Sequence, residues 1–254
     1  MIESNPNLKE YKQSFYLSAG ECNPQAEMPV TLLMNRIIEV ATNHANTWGV
    51  GYARLIEDNQ GWVLSRVTIE MKRYPHVDEW YSLTTWVEDY NRHFSQRNME
   101  IADQQGNAIG YVRTIWVVIN LTTRESVDIS KLSYISENVS ERLCPIEPQS
   151  RLRPFEPTRS ETYRFRYSDI DFNGHVNTVR YIEHLVNQFP MQHHASNMVK
   201  RLELAFVKEA YYDSTAQIII NDSDPCDVRL DINADDITRV RSRFIFQKRP
   251  KKPT

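Results

Sequence analysis

Cysteine is scarce in this chain, and its positions exclude a disulfide framework. Only three of the 254 residues are cysteine, Cys22, Cys144 and Cys226, and they lie far apart in sequence. No Cys-x-x-Cys motif is present, and single scattered thiols are typical of proteins kept in a reducing compartment. We therefore expect a cytoplasmic protein without disulfide bonds.

Long apolar runs and an excess of charge of one sign are absent as well. No stretch approaches the roughly 20 apolar residues that are needed to span a bilayer, and residues 1–6 lack the basic and apolar parts of a secretory signal. The net charge of −3 gives no general attraction to nucleic acid or to an anionic membrane. The sequence therefore predicts no membrane insertion and no nucleic-acid partner.

The two halves of the chain repeat one plan, which is a short strand, one helix and then a series of strands. Apolar residues recur at helical spacing in 31–47, and β-branched and aromatic residues are enriched in the segments around it. The same order returns in the second half, with a helix at 175–188. The predicted strands are 15–17, 62–70, 81–87 and 111–120 in the first half and 163–167, 200–208, 215–221, 228–232 and 238–247 in the second.

The alignment of the halves predicts a duplicated fold. Residues 67–78 align with residues 202–213 at a constant offset. Between the halves, residues 143–158 contain four prolines, which favours an extended linker. We expect an N-terminal domain at 1–142 and a C-terminal domain at 159–254. One helix wrapped by a curled antiparallel sheet, repeated twice, is an α+β tandem hotdog fold, in which pairing the halves covers the edge that a lone sheet leaves open.

The motif with the clearest chemistry lies where a predicted strand ends and the second helix begins. Asp171, Asn173 and His175 alternate there and bring a carboxylate, an amide and an imidazole close together. With the unpaired N–H groups of a helix start, these are the groups needed to hydrolyse an activated acyl group. Taken alone, the segment is also a common turn, and Asn173 is a good N-cap. The surrounding sequence has to decide between these interpretations.

Three further segments accompany the motif in a fixed order. They are residues 73–75 (Arg-Tyr-Pro) with 84–87 (Thr-Thr-Trp-Val), residues 115–120 (Ile-Trp-Val-Val-Ile-Asn) and residues 180–182 (Arg-Tyr-Ile). Together they resemble the acyl-acyl-carrier-protein (acyl-ACP) thioesterases of plants and bacteria over roughly residues 15–214, and the chain looks like a bacterial member. The resemblance implies hydrolysis of fatty acyl-ACP to free fatty acid and holo-ACP in fatty acid biosynthesis. It implies no cofactor, and as partner an acyl carrier protein with a phosphopantetheine-linked acyl chain.

The same resemblance assigns the catalytic residues to the second half. They are Asp171, Asn173 and His175 of the motif, together with Glu209 of a later strand. Plant members have a cysteine directly after this glutamate, whereas this chain has Ala210. A cysteine nucleophile at that position is therefore excluded.

The first half is expected to bind the acyl chain. It lacks a counterpart of the motif, and Tyr74 aligns with Glu209, so we expect one catalytic centre per chain. The walls of the acyl pocket are predicted on the first helix and the strand after it, at Leu33, Ile37, Ala41, Trp62, Leu64 and Arg66.

A thioester needs only an activated water and a site for the oxyanion, because its thiolate is a good leaving group. Asp171 is expected to act as the general base, with direct nucleophilic attack as the alternative. His175 would polarise the substrate or shuttle the proton to sulfur, Asn173 would hold the water or the carbonyl, and Glu209 would orient His175 or the water. The developing negative charge is predicted to meet free N–H groups near the helix start, at the substrate-binding residues Gly174, Val176 and Asn177.

The carrier protein implied by the resemblance is acidic, so its docking surface is expected to be basic. Two sets of arginines are spaced two residues apart, so the members of each set share one face of a strand. The basic segment 248–252 is interpreted as a solvated tail. The arginine sets are Arg164 with Arg166, and Arg239 with Arg241 and Arg243. The chain is expected to be a monomer, with the two halves as an internal pseudo-dimer, or a homodimer.

Other functions stay open at this point. An acyl-CoA thioesterase would use the same hydrolytic site. Hotdog hydratases acting on enoyl thioesters have a proline after the Asn and the His one residue later, which disfavours them because Gly174 and His175 stand here. A non-catalytic acyl-binding protein would not need the four polar groups. The pair His193-His194 has no acidic partner at ligand spacing, so no metal is expected.

Overall fold

The computed structural model describes residues 9–131 and 133–249. They divide into two compact units at the boundary between Pro148 and Gln149. In each unit one helix buries its apolar face, and five strands form an antiparallel sheet. This is the hotdog arrangement that the sequence predicts, present once in each half of the chain.

Among the described residues, the first unit contains five strands and three α-helices. The strands are β1 (Glu10–Tyr16), β2 (Gln60–Met71), β3 (Trp80–Tyr90), β4 (Ser95–Asp103) and β5 (Ala108–Asn120), and the helices are α1 (Val30–Thr47), α2 (Tyr52–Glu57) and α3 (Ser133–Ser136). The strand order in the sheet is β1-β3-β4-β5-β2, and every pair is antiparallel.

In the described part of the second unit, five strands and two α-helices follow. The strands are β6 (Arg159–Arg164), β7 (Asn197–Phe206), β8 (Thr215–Asn221), β9 (Asp227–Ala234) and β10 (Ile237–Lys248), and the helices are α4 (Thr178–Val186) and α5 (Met191–Ser196). The strand order is β7-β10-β9-β8-β6, again antiparallel throughout.

Helix α1 shows how the apolar spacing produces the fold. Leu33, Ile37, Ala41 and His44 lie one turn apart and are all buried. The helix ends before Gly49, whose φ of 73° is a conformation that glycine adopts without strain. Within the described ranges, no helix is long and apolar enough to cross a membrane.

A bulge in β2 corrects the predicted pocket wall. Leu64 pairs with Trp116 and Arg66 pairs with Ile115, so Ser65 is an extra residue on this strand. The bulge reverses the alternation, and Arg66 lies on the face opposite to Leu64 and is exposed. The prediction that Arg66 lines the interior with Leu64 is therefore wrong.

The start of the second helix also differs from the prediction. Helix α4 begins at Thr178 rather than near His175. Its N-cap is Asn177, whose side-chain oxygen accepts the N–H of Val179 at 2.8 Å. Residues 170–177 therefore form a turn in front of the helix, and Asn173 is not the N-cap.

Strand β4 was not predicted because its composition is poor in strand-forming residues. It contains the buried polar residues Ser95, Arg97 and Asn98. Arg97 lies 2.7 Å from the Nδ1 atom of His44 and donates to the Thr85 hydroxyl at 3.2 Å. Pairing with strands on both sides and these side-chain bonds override the weak local propensity.

The proline-rich segment 143–158 contains no helix or strand, and the structure describes all of it. Its first part belongs to the core of the first unit, where Cys144 and Ile146 cluster with Trp86. Arg113 donates to the carbonyl groups of Cys144 and Ile146 at 2.7 and 2.8 Å. An extended chain leaves its carbonyl groups unpaired, and the partly buried Arg113 satisfies two of them.

Candidate active site

The loop between β6 and α4 is folded by hydrogen bonds within the motif. One carboxylate oxygen of Asp171 accepts the N–H groups of Asn173 and His175, at 2.8 and 3.3 Å. The main chain closes the turn, because Asp171 N–H donates to the His175 carbonyl at 2.8 Å and Gly174 N–H donates to the Asp171 carbonyl at 3.0 Å. Gly174 has a φ of 82°, which explains why glycine occupies this position.

The N–H groups predicted to receive the oxyanion are already occupied. Gly174 donates to Asp171, as above. Val176 N–H donates to the Ala210 carbonyl at 2.9 Å, and Asn177 N–H donates to the Asp169 carbonyl at 2.8 Å. The prediction that Gly174, Val176 and Asn177 offer free N–H groups is therefore wrong, because the motif precedes the helix and its backbone holds the loop in place.

The loop brings His175 beside Glu209. The Nδ1 atom of His175 lies 3.4 Å from Oε1 of Glu209, and both side chains are partly exposed. A bridge between His175 and Tyr211 aligns the two backbone segments. The Tyr211 ring packs edge-on against the imidazole, with 5.2 Å between the ring centroids. A carboxylate at Nδ1 leaves Nε2 of the imidazole available to a substrate.

Asn173 stands apart from the other three predicted residues. Its backbone joins the Asp171 turn, but its side chain is exposed, next to Phe172, which is 80% exposed. Asp171, His175 and Glu209 therefore come together through hydrogen bonds and contacts, whereas Asn173 presents its amide at the surface of the loop.

Asp169, a buried carboxylate that the sequence analysis did not identify, stabilises the motif loop through hydrogen bonds. Asp169 accepts hydrogen bonds from the Tyr163 hydroxyl at 2.9 Å and the Arg166 N–H at 2.7 Å, and its other oxygen lies 2.9 Å from Nε2 of His184. Burial acts to raise the pKa of Asp169, but these three partners together hold it below its usual value. In the sequence, the only indication of a role for Asp169 is its position two residues before Asp171, because the sequence does not show that a single acidic residue is buried.

Two other buried polar side chains hold the segment that contains Glu209. The hydroxyl of Tyr181 on α4 accepts the N–H of Ala210 at 3.0 Å. Arg239 donates to the Glu209 carbonyl at 2.7 Å and to the Asp235 carboxylate at 2.7 Å. Arg239 is only 4% exposed, so the prediction that it belongs to a basic docking face is wrong.

The adjacent histidines His193 and His194 make packing contacts instead of facing a common point. The His193 ring stacks on Phe189 and meets Phe246 edge-on, with centroid distances of 5.2 and 4.4 Å. Nε2 of His194 lies 3.2 Å from the Val186 carbonyl oxygen. In the residues that the structure describes, no three His, Cys, Asp or Glu side chains are grouped to hold a metal ion.

Comparison with known families decides the identity of the fold. The chain matches the acyl-ACP thioesterase N-terminal domain over residues 8–134 and the acyl-ACP thioesterase C-terminal domain over residues 153–248. The chain belongs to the acyl-ACP thioesterase family. The two matched regions lie in the two units of the structure, on either side of the boundary at Pro148.

Individual members of the acyl-ACP thioesterase family agree in sequence and structure. An acyl-[acyl-carrier-protein] hydrolase of Cuphea viscosissima is 25% identical over 228 residues, which are 82% of this chain and 54% of that protein. The chain thus spans about half the length of such curated relatives. The crystal structure of an acyl-ACP thioesterase from Bacteroides thetaiotaomicron superimposes with a TM-score of 0.87 at 33% identity, covering 94% of this chain and 98% of that one. A 12:0-ACP thioesterase from Umbellularia californica has the same fold, with a TM-score of 0.84 at 18% identity and the same coverage.

The first unit of this acyl-ACP thioesterase family member repeats the backbone of the motif loop. The side-chain oxygen of Asn23 accepts the N–H groups of Gln25 and Glu27, both at 3.0 Å. Ala26 has a φ of 60°, and Met28 N–H donates to the Pro75 carbonyl at 2.9 Å. The statement that the first half lacks a counterpart of the motif is therefore wrong for the backbone.

The side chains of the two loops differ at every chemical position. Asn23 occupies the place of Asp171, Gln25 that of Asn173 and Glu27 that of His175. The first unit therefore has the turn without the carboxylate at its base. Its glutamate and imidazole are exchanged in position, because Oε1 of Glu27 lies 3.9 Å from Nε2 of His76, which takes the place of Tyr211.

Proposed function

We propose that this chain hydrolyses fatty acyl-ACP to free fatty acid and holo-ACP, using Asp171, Asn173, His175 and Glu209. The observation that supports this most directly is the 3.4 Å contact between His175 Nδ1 and Glu209 Oε1 beside the Asp171 turn. It occurs in a chain of the acyl-ACP thioesterase family, whose relatives are named acyl-[acyl-carrier-protein] hydrolases.

Asp171 is the proposed general base. Both main-chain hydrogen bonds to its carboxylate reach Oδ1, so Oδ2 is assigned the role of proton acceptor. It takes a proton from water as the water oxygen attacks the thioester carbonyl. The C–S bond then breaks, and His175, protonated on both ring nitrogens, gives its Nε2 proton to the departing thiolate while Glu209 accepts a hydrogen bond from Nδ1–H. The proton on Asp171 then passes to Nε2 of His175, which restores both residues for the next turnover.

The oxyanion needs donors other than the loop backbone, because the N–H groups of residues 174–177 are occupied. We assign this role to the exposed amide of Asn173 and to Nε2–H of His175. One well-placed donor of this kind lowers the barrier by about 3 kcal/mol.

The acyl chain is proposed to be selected by the interior of the first unit. Leu33, Ile37 and Ala41 form the buried face of α1. On β2, strand pairing places Trp62 and Leu64 on one face, which is the face of the buried residues Val67 and Ile69. Arg66 is omitted from this set because it lies on the other face.

The cysteines support a proposal for the cellular setting. All three cysteines are free in the structure, which supports a cytoplasmic protein. The proposed partner is an acyl carrier protein, and the proposed assembly is a monomer or a homodimer, which light scattering on the purified protein distinguishes.

The test is hydrolysis of an acyl-ACP series compared with acyl-CoA thioesters of the same chain lengths. Thiol release is followed with the purified protein, and kcat/KM is compared at each length. The proposal predicts a higher kcat/KM for acyl-ACP at the preferred length. Equal or higher values for acyl-CoA would overturn the choice of carrier, and inactivity on both series would overturn the hydrolytic function.

A further inference from the structure

The duplicated loops provide an internal comparison within one chain. An acid–base pair braces the loop in both units, as Glu21 with Arg36 in the first and Asp169 with His184 in the second, each at 2.9 Å. The brace is common to both units, although only the second has the proposed catalytic side chains. Contacts found only in the second unit are therefore candidates for a catalytic purpose.

Hydrogen bonds identify the equivalent residues at the Glu209 segment. Met28 N–H donates to the Pro75 carbonyl as Val176 N–H donates to the Ala210 carbonyl, both at 2.9 Å, so Pro75 corresponds to Ala210. On that count Tyr74 corresponds to Glu209.

The next strand and the helix are matched in the same way. Lys72 N–H donates to the Ile109 carbonyl and Val207 N–H donates to the Arg239 carbonyl, both at 2.8 Å, so Ile109 corresponds to Arg239. Tyr181 lies five residues after Val176, whose N–H bonds the Ala210 carbonyl. Leu33 lies five residues after Met28, whose N–H bonds the Pro75 carbonyl, so Leu33 corresponds to Tyr181.

Neither Tyr181 nor Arg239 has a residue of the same kind at the equivalent position of the first unit. Tyr181 and its partner Ala210 N–H are replaced by Leu33 and Pro75, and proline has no N–H group to satisfy. Arg239 is replaced by Ile109. The Tyr74 carbonyl instead accepts a hydrogen bond of 3.4 Å from the neighbouring Arg73, whose side chain is 39% exposed. The fold at this place therefore forms without a phenol and without a buried guanidinium.

In the second unit these groups are buried, at 4% exposure each, and burying a polar or charged group is unfavourable unless it is hydrogen-bonded. Their bonds reach the Glu209 carbonyl and the N–H of Ala210. These are the two polar ends of a single peptide unit, the one that follows Glu209. Fixing both ends sets the rotation of this peptide plane and, through it, the direction of the Glu209 side chain toward His175.

We propose that Tyr181 and Arg239 are positioning residues that clamp the peptide between Glu209 and Ala210 and so hold the Glu209 carboxylate at His175. The inference rests on the proposed function for the reaction in which Glu209 takes part. Neither side chain is assigned a contact with the substrate. Burial is the main cause that raises the pKa of Tyr181, so its hydroxyl stays protonated at neutral pH.

The test compares Tyr181→Phe and Arg239→Met with matched controls. Tyr81→Phe removes the hydroxyl of another buried tyrosine. Arg159→Met removes an arginine that, like Arg239, donates to one carbonyl and one carboxylate, those of Gln188 and Asp222. We expect kcat to fall at least tenfold in the two test variants with KM changed less than twofold, and kcat of the controls to stay within twofold of wild type.

Double variants with Glu209→Gln separate positioning from a general loss of structure. If the clamp acts through Glu209, adding Tyr181→Phe or Arg239→Met to Glu209→Gln lowers kcat no further. Effects that multiply, or a folded Tyr181→Phe variant with kcat within twofold of wild type, overturn the proposal. If Arg239→Met does not fold, Arg239→Lys takes its place, and Tyr181→Phe remains decisive because it changes one atom.

The activity of the wild-type protein shows whether a negative result contradicts this inference or the proposed function. A wild type that hydrolyses only acyl-CoA overturns the carrier assignment, and the same variants are then measured on acyl-CoA. A wild type without thioesterase activity overturns both proposals.

Discussion

At the scale of single residues, a buried carboxylate in β9 has a measurable effect on stability. Burial raises the pKa of Asp231 to about 6, and Arg241, with its Nε 3.8 Å away, acts in the opposite direction without cancelling it. In the unfolded chain the carboxyl group has a pKa of about 3.9. Between these two values the folded state binds more protons than the unfolded state, so the free energy of unfolding falls as pH rises through this window.

Asp231→Asn is expected to remove this cost. We predict a free energy of unfolding about 1–2 kcal/mol higher than wild type near pH 7.5, and no gain below about pH 3, where the wild-type group is protonated in both states. Urea unfolding at the two pH values measures the difference. A variant that is less stable than wild type at pH 7.5 would contradict the prediction.

Asp227, on the same strand, is the matched control, because its pKa is shifted in the opposite direction. Hydrogen bonds from Arg243 hold the pKa of Asp227 below its usual value, although burial opposes this. Its contribution to stability is present above the unfolded pKa and is lost as pH falls through the folded one. Asp227→Asn is therefore expected to lower the free energy of unfolding at pH 7.5.

The cysteines are expected to be dispensable for turnover. Ala210 stands after Glu209, so no thiol adjoins this proposed catalytic residue in sequence. We predict that a chain with Cys22→Ser, Cys144→Ala and Cys226→Ser keeps kcat within twofold. Because Cys144 is buried, the triple variant should lose about 1 kcal/mol of stability. Abolished turnover in the folded variant, or an acyl group trapped on a wild-type cysteine, would show that this account of the chemistry is wrong.

At the scale of secondary structure, local sequence predicts regular elements and fails where a distant partner decides. The spacing of Leu33, Ile37 and Ala41 predicts α1 to within one residue. The bulge at Ser65 depends on the register with β5, and the N–H of Val176 is occupied by a carbonyl at Ala210. Neither partner is visible in the local pattern, so the orientation of Arg66 and the supposed oxyanion donors were predicted incorrectly.

The interior face of α1 is expected to set the acyl-chain length. Ala41→Leu enlarges a side chain on the buried face and should shift the kcat/KM profile toward shorter acyl chains. Each methylene of the acyl chain contributes about 0.8 kcal/mol when buried, so each excluded carbon changes relative rates several-fold. Val63→Ala, on the opposite face of β2 from Leu64, is the control. An unmoved length profile with only a lower overall rate would remove α1 from chain-length selection.

At the scale of the whole molecule, the same loop conformation occurs once in each unit, with different side chains. Both units fold the turn with the same backbone hydrogen bonds. The second has Asp171 in the turn and His175 beside Glu209, whereas the first has Asn23 in the turn and Glu27 near His76. The order of the elements was sufficient to predict the duplication. The equivalence of Asn23 and Asp171 was not predictable, because it lies in backbone conformation and not in residue identity.

This equivalence makes Asp171→Asn an informative variant. Asn23 already closes the same turn with an amide oxygen in the first unit, so the variant is expected to fold. What it loses is the proton acceptor. The matched change Asn23→Asp places a carboxylate in the other turn, where Glu27 stands at the position that His175 has in the second unit.

The most direct test of the central claim is kcat for release of holo-ACP from acyl-ACP by wild type and these two folded variants. A single catalytic centre with Asp171 as its base predicts that Asp171→Asn lowers kcat by at least a hundredfold, about 2.7 kcal/mol of barrier, while Asn23→Asp stays within twofold of wild type. An Asp171→Asn variant with more than a tenth of the wild-type kcat would contradict the account.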